Sequence, residues 1–139
     1  MDLRKITEDF SVSPQIEVAD VPDIAEAGYR AILCNRPDGE EMGQPVYEAV
    51  AEAARAAGLQ VQFLPIISGQ MTRTDAEAFS TALDTLPKPI LAYCRTGTRC
   101  TVMWSMTQID TLGAEEILRR ASDAGYDMSG LVAQLQSGR

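Results

Sequence analysis

The sequence predicts an α/β fold of three layers, with a mostly parallel central sheet of four to five strands flanked by helices. Three observations carry this. Short apolar runs alternate with longer stretches of helical period, the order that gives parallel strands joined by helical crossovers. The runs at residues 29–34 and 89–93 are apolar enough to be buried strands. Glycine or proline punctuates most boundaries. At 139 residues the chain is long enough for one core, so residues 1–139 are read as a single domain.

The elements come in the following order. Residues 10–18 supply one or two short edge strands, broken at Pro14. Residues 21–27 form a short helix closed by Gly28. A buried strand comes next at 29–34, stopped by Asn35-Arg-Pro-Asp-Gly39. Residues 46–57 are an alanine-rich helix, with Pro45 at its start and Gly58 as its stop. Residues 59–64 alternate and read as a strand. Residues 65–73 are a loop. Thr74-Asp-Ala-Glu77 reads as a capping box opening a helix that runs to Leu86. Pro87-Lys-Pro89 resets the chain into the strand ending at Tyr93. A helix begins near Cys100 and breaks at Gly113. Two more lie at 114–124 and 129–136, with Ser129 as N-cap of the last.

Composition narrows the function. The formal net charge is −8, which argues against a nucleic-acid binder. No apolar stretch approaches the roughly 18 residues of a membrane helix. The opening residues lack the apolar core of a secretory leader, so a cytoplasmic location is expected. Histidine is absent, which removes the commonest general base and metal ligand. The three cysteines, Cys34, Cys94 and Cys100, form no CxxC pair, so neither a metal nor a cofactor is expected. In a reducing compartment such cysteines are reactive or buried rather than bridged.

The motif that carries chemistry is Cys94-Arg-Thr-Gly-Thr-Arg99. A strand ends in a cysteine, a glycine-bearing loop comes after it, and a helix begins. Loop N–H groups and a helix N-terminus both favour an anion, and so favour the Cys94 thiolate. Cys94 is the candidate nucleophile. Gly97 permits a positive φ or close backbone approach. Arg99 can hold two oxygens of an anion. Thr96 and Thr98 offer loop N–H groups and capping hydroxyls, and Arg95 faces either solvent or the mouth of the site. Cys100 reads as a weak donor to the thiolate, as a resolving thiol, or as a packed side chain. Cys34 reads as structural. Ligands of open α/β sheets sit at the carboxyl ends of the strands. The loops 35–41, 65–73 and 94–99 should therefore bring Arg36, Arg73, Arg95 and Arg99 together around a small anionic or sulfur-bearing substrate.

Gln15, Gly28, Asn35-Arg-Pro-Asp-Gly-Glu40, Gly58, Pro65 and the 94–99 motif together resemble the phosphatase-like domain of beta-lactamase hydrolase-like proteins. The resemblance covers about residues 3–112 and implies a fold like that of dual-specificity phosphatases. It implies Cys94 as nucleophile and Arg99 as anion-binding arginine. It also implies a link to sulfur metabolism, with a persulfide dioxygenase or another sulfur-handling protein as partner. Cys100 stands where that family usually has serine.

Two enzyme readings compete. Cysteine phosphatases carry His-Cys-x-x-Gly-x-x-Arg, with five residues between Cys and Arg. Here four intervene, and Tyr93 replaces the histidine. The spacing resembles the rhodanese Cys-x-x-Gly-x-Arg loop, whose persulfide chemistry needs no strong acid. A phosphatase needs a proton donor for the leaving group. Asp75, Asp38 and Glu40 are the candidates, although capping accounts for Asp75 and pairing with Arg36 accounts for Glu40. Sulfur transfer through a Cys94 persulfide is therefore the favoured expectation, with a phosphatase as the alternative. A third reading is a non-catalytic anion-binding or interaction domain.

Overall fold

The chain runs first through a hairpin of β1 (Arg4–Thr7) and β2 (Phe10–Ser13), in a computed structural model that describes residues 1–137. Then come α1 (Val21–Glu26), β3 (Ala31–Cys34), α2 (Tyr47–Ala56), β4 (Gln60–Phe63), α3 (Arg73–Thr85) and β5 (Ile90–Tyr93). Three helices close the described chain: α4 (Thr98–Leu112), α5 (Ala114–Asp123) and α6 (Ser129–Ser137). The five strands form one sheet in the order β1-β2-β5-β3-β4. Only the β1–β2 pairing is antiparallel.

Helices cover both faces, as the sequence implied. Side chains alternate across a strand. Ile90, Ala92, Ala31 and Leu33 therefore face a core shared with Phe79, Met103, Trp104, Ile117 and Val132 of α3 to α6, and Cys94 continues that face. Leu91, Tyr93, Ile32 and Cys34 face the opposite core, built with Val21 and Ile24 of α1 and Val50 and Ala54 of α2. Each fully buried branched side chain contributes about 1.5–3 kcal/mol. The alternation also has a consequence for chemistry: adjacent residues Tyr93 and Cys94 point to opposite layers.

The four parallel strands end on one edge, and their loops are laced together there. Asn35 donates its backbone N–H to Tyr93 O at 2.9 Å and its side-chain amide to Leu64 O at 2.9 Å. Ile66 N–H donates to Asn35 O at 2.9 Å, and Gln15 N–H to Arg95 O at 3.3 Å. This lacing makes one platform of four loops.

Several expectations need correction. β1 is one of the two edge strands, β4 being the other, and was unforeseen, since Arg4–Thr7 has only Ile6 buried. β2 lies inside the sheet, all four residues buried, rather than at its edge. The capping box of α3 is Thr72 with Asp75, two residues earlier than Thr74 with Glu77. Thr72 Oγ1 accepts from Asp75 N–H, and Asp75 Oδ2 accepts from Thr72 N–H. Arg73 is thus the first helical residue rather than part of the loop. α4 begins at Thr98, so Arg99 belongs to its first turn. Ser129 opens α6, but the capping acceptor is Asp127, which takes its N–H at 2.9 Å.

Candidate active site

The chain leaves β5 at Tyr93 and reverses into α4 through Gly97, whose φ of 91° is left-handed and suits glycine. That reversal turns the loop N–H groups back on Cys94. Gly97 N–H donates to Cys94 Sγ at 3.0 Å. The Cys100 thiol is the strongest further donor, and the N–H groups of Cys100 and Thr96 add to it. These donors outweigh burial and bring the Cys94 thiol down to about 5 from its ordinary 9.0. Cys94 is therefore a thiolate at neutral pH. The N-terminal dipole of the fifteen-residue α4 points the same way. Cys100 is fully buried, and desolvation and the neighbouring thiolate push its own thiol well above the ordinary value. It stays protonated and donates, doing what a serine hydroxyl would do there. The Thr96 hydroxyl takes Thr98 N–H at 3.3 Å, but the N-cap of α4 is Gly97, so no side chain caps the helix in the way expected of the threonines.

Arg99 is 6% exposed. Its Nη1 donates to Glu40 Oε2 at 2.8 Å and to Ile66 O at 2.9 Å, and its Nη2 donates to Glu40 Oε1 at 2.8 Å. A guanidinium has five N–H donors in a fixed plane. Those three bonds use the end-on fork and the outer Nη1 proton. The side fork, Nε–H with the second Nη2 proton, remains for a bidentate anion. The Arg99 guanidinium, helped by Arg36, holds the Glu40 carboxyl below its ordinary value against the opposing effect of burial.

Arg36 is corrected in role. It is 2% exposed and donates to Glu40 Oε1 at 3.0 Å, Gln15 Oε1 at 3.0 Å and Glu41 Oε1 at 3.4 Å. It clamps Glu40, which in turn clamps Arg99, and does not itself face an anion. The pairing of Arg36 with Glu40 was foreseen; the bridging of both arginines by one carboxylate was not. Arg95 is exposed and reaches Glu41 at 3.6 Å, across the rim between two loops. Arg73 is exposed on the first turn of α3 and joins none of these contacts among the described residues. The expected four-arginine cluster is therefore Arg36 and Arg99 within, Arg95 on the rim and Arg73 apart.

None of the candidate acids is a free proton donor. Asp75 caps α3. Asp38 Oδ1 accepts Tyr47 N–H at 2.8 Å at the start of α2. Glu40 is an ion-paired carboxylate. Tyr93, at the place of a histidine, lies in the α1–α2 layer, where burial and the adjacent Cys34 thiol push its hydroxyl up. Cys94 is 0% exposed. Among the described residues, no cluster of His, Cys, Asp and Glu could hold a metal ion. No described helix is long and apolar enough to cross a membrane.

The model of the phosphatase-like domain of beta-lactamase hydrolase-like proteins matches residues 2–111. The chain belongs to this family. Within it, a Xylella fastidiosa beta-lactamase hydrolase-like protein is 32% identical over 138 residues, covering 98% of this chain but 32% of the relative. An Agrobacterium fabrum counterpart is 34% identical over 104 residues, 75% of this chain and 24% of the relative. The chain thus spans about a third or less of the curated relatives it matches. A solved structure of a candidate phosphatase from Neisseria meningitidis superposes with a TM-score of 0.88 at 34% identity, covering 100% of this chain and 99% of that one. The active form of Tk-PTP superposes at 0.70 with 12% identity, over 99% of this chain and 95% of that one, which shows the phosphatase-like fold. The residues that sequence reasoning missed are Gln15 as a clamp on Arg36, Glu41 and Tyr126. Tyr126 lies beyond the family match, and no sequence signal pointed to it.

Proposed function

We propose that this phosphatase-like domain is a cysteine phosphatase acting on phosphate monoesters. The observation that carries the reading is a Cys94 thiolate held by Gly97 N–H at 3.0 Å, followed on the first turn of α4 by an Arg99 whose side fork takes no partner among the described residues. Cys94 Sγ attacks phosphorus, forming an S–P bond as the ester P–O bond breaks and the alcohol oxygen leaves with the electron pair. The loop N–H groups and the Arg99 fork hold the transferring oxygens. Water then cleaves the S–P bond, releases inorganic phosphate and restores the thiolate. With Asp75, Asp38 and Glu40 all engaged, the leaving group departs without a strong acid. That favours aryl over alkyl esters, since a phenolate is the better leaving anion.

A second reading, sulfur transfer, is favoured by the four residues between Cys94 and Arg99. In it Cys94 takes the outer sulfur of thiosulfate, sulfite leaves, and a thiol acceptor removes the sulfur. One panel decides between them. Aryl-phosphate turnover, with a phosphorylated Cys94 trapped by rapid quench and both lost in Cys94→Ser, is expected. Gain of one sulfur atom on Cys94 from thiosulfate, with no aryl-phosphate turnover, would overturn the phosphatase reading.

A further inference from the structure

Tyr126 sits in the turn between α5 and α6, beyond the residues the family model matches. Its ring is buried, with 7% exposure. Its backbone N–H is fixed on Ala121 O at 2.8 Å, and the Arg4 guanidinium lies 5.1 Å above the ring. Its hydroxyl donates to Thr96 O at 2.9 Å. A Cβ placed on Gly97 would lie 2.1 Å from that hydroxyl oxygen, so the two are in direct contact.

The Thr96–Gly97 peptide is not among the cis bonds of the described residues and is trans. A planar trans peptide points its C=O and its N–H in opposite directions. A hydrogen bond that fixes the carbonyl therefore also aims the amide. Here the carbonyl is Thr96 O, held by Tyr126, and the amide is Gly97 N–H, which points at Cys94 Sγ. Gly97 has the freest backbone in the loop, so an unanchored peptide there is the one most able to rotate.

We propose that Tyr126 is a positioning residue for the nucleophile: by binding the Thr96 carbonyl, its hydroxyl holds the Thr96–Gly97 peptide with the Gly97 N–H aimed at Cys94. The inference rests on Cys94 acting as a thiolate, and not on which substrate it attacks. The titratable and charged groups around Cys94 are Cys100 and Arg99 of α4, Cys34 of β3 and Tyr126 itself. Of these, Tyr126 acts through a backbone amide rather than by direct contact with the sulfur. Glycine at position 97 is called for twice, since its φ of 91° disfavours any side chain and a Cβ there would also meet the Tyr126 hydroxyl.

The test tracks the titration of Cys94 by thiolate ultraviolet absorbance, as the difference from Cys94→Ser, which needs neither substrate nor access. Tyr126→Phe keeps the ring and removes the donor. It should raise the Cys94 midpoint by about one pH unit, with little change in melting temperature. Fluorotyrosine introduced at position 126 is a stronger donor and should lower the midpoint. Arg4→Ala removes the cation over the ring but leaves the hydroxyl on Thr96 O, and should lower the melting temperature while moving the midpoint clearly less than Tyr126→Phe does. An unmoved midpoint in folded Tyr126→Phe, or an equal shift in Arg4→Ala, would overturn the proposal. Failure of aryl-phosphate turnover in the native protein would instead sink the phosphatase reading and leave this result standing.

Discussion

Cys34 and Cys94 end neighbouring parallel strands, and both are buried, yet their thiols diverge. Cys94 is brought down to about 5, whereas burial pushes Cys34 up to about 11. Desolvation raises both. The difference lies in the turn that leaves each strand. Beyond Cys94 the chain turns through a left-handed glycine into a helix, and N–H and S–H donors face the sulfur. Beyond Cys34 it runs into Asn35-Arg36-Pro37, and the Cys34 thiol itself donates, to Arg36 O at 3.3 Å. A strand-end thiol is drawn down where the next turn aims enough donors at it to outweigh burial, as at Cys94, and is pushed up where burial is the larger influence, as at Cys34.

The largest effect that could break this comparison comes from the anion partner. Arg99→Lys loses the planar fork while keeping the charge, and should cut kcat/KM for an aryl phosphate on the order of 10²-fold, with the Cys94 midpoint little changed. A fall below threefold in steady-state assays would remove Arg99 from the chemistry.

The donor side of the comparison is sharpened at Cys100. Cys100→Ala removes the leading donor and should raise the Cys94 midpoint by about one unit, a change of about 1.4 kcal/mol between its two protonation states. Cys100→Ser restores a donor and should bring the midpoint back toward the native value. If Ser and Ala behave alike in the absorbance titration, backbone donors alone hold the thiolate.

The two cysteines also make opposite contributions to stability against pH. The folded Cys94 value lies below the ordinary 9.0. Its contribution is complete above that value, shrinks by about 1.4 kcal/mol per pH unit as pH falls, and is gone below about 5. Cys34 has the reverse sign: its contribution is complete below 9.0 and lost as pH rises through about 11. Urea unfolding of native protein and Cys94→Ser at two pH values between 5 and 9 checks this. The native slope should be the steeper, and equal slopes would refute the depressed thiol.

The smallest effect is at Asp75. Asp75→Asn weakens the Thr72 capping box and should cost about 0.5–1 kcal/mol in urea unfolding, with turnover within twofold of native. A tenfold loss of turnover would make Asp75 the missing acid.

Local signals determined much of this protein by sequence alone. Gly28, Gly58, Gly97 and Gly113 each stand at a reversal with positive φ, so the element order was legible. The 94–99 motif singled out Cys94, the thiol that the structure surrounds with donors, and the pairing of Arg36 with Glu40 was visible at i,i+4. The hairpin edge was less so, because four residues with one buried side chain carry little pattern. What only the tertiary structure decided are the contacts that cross the sheet edge. Glu40 bridges to Arg99, fifty-nine residues away, and Tyr126 reaches Thr96 from a turn thirty residues on. Likewise, the sheet's alternation, not the motif, sends Tyr93 to the layer opposite Cys94. Spacing along a chain encodes what a turn or helix brings together. Which distant donor meets which acceptor is set by how whole elements pack.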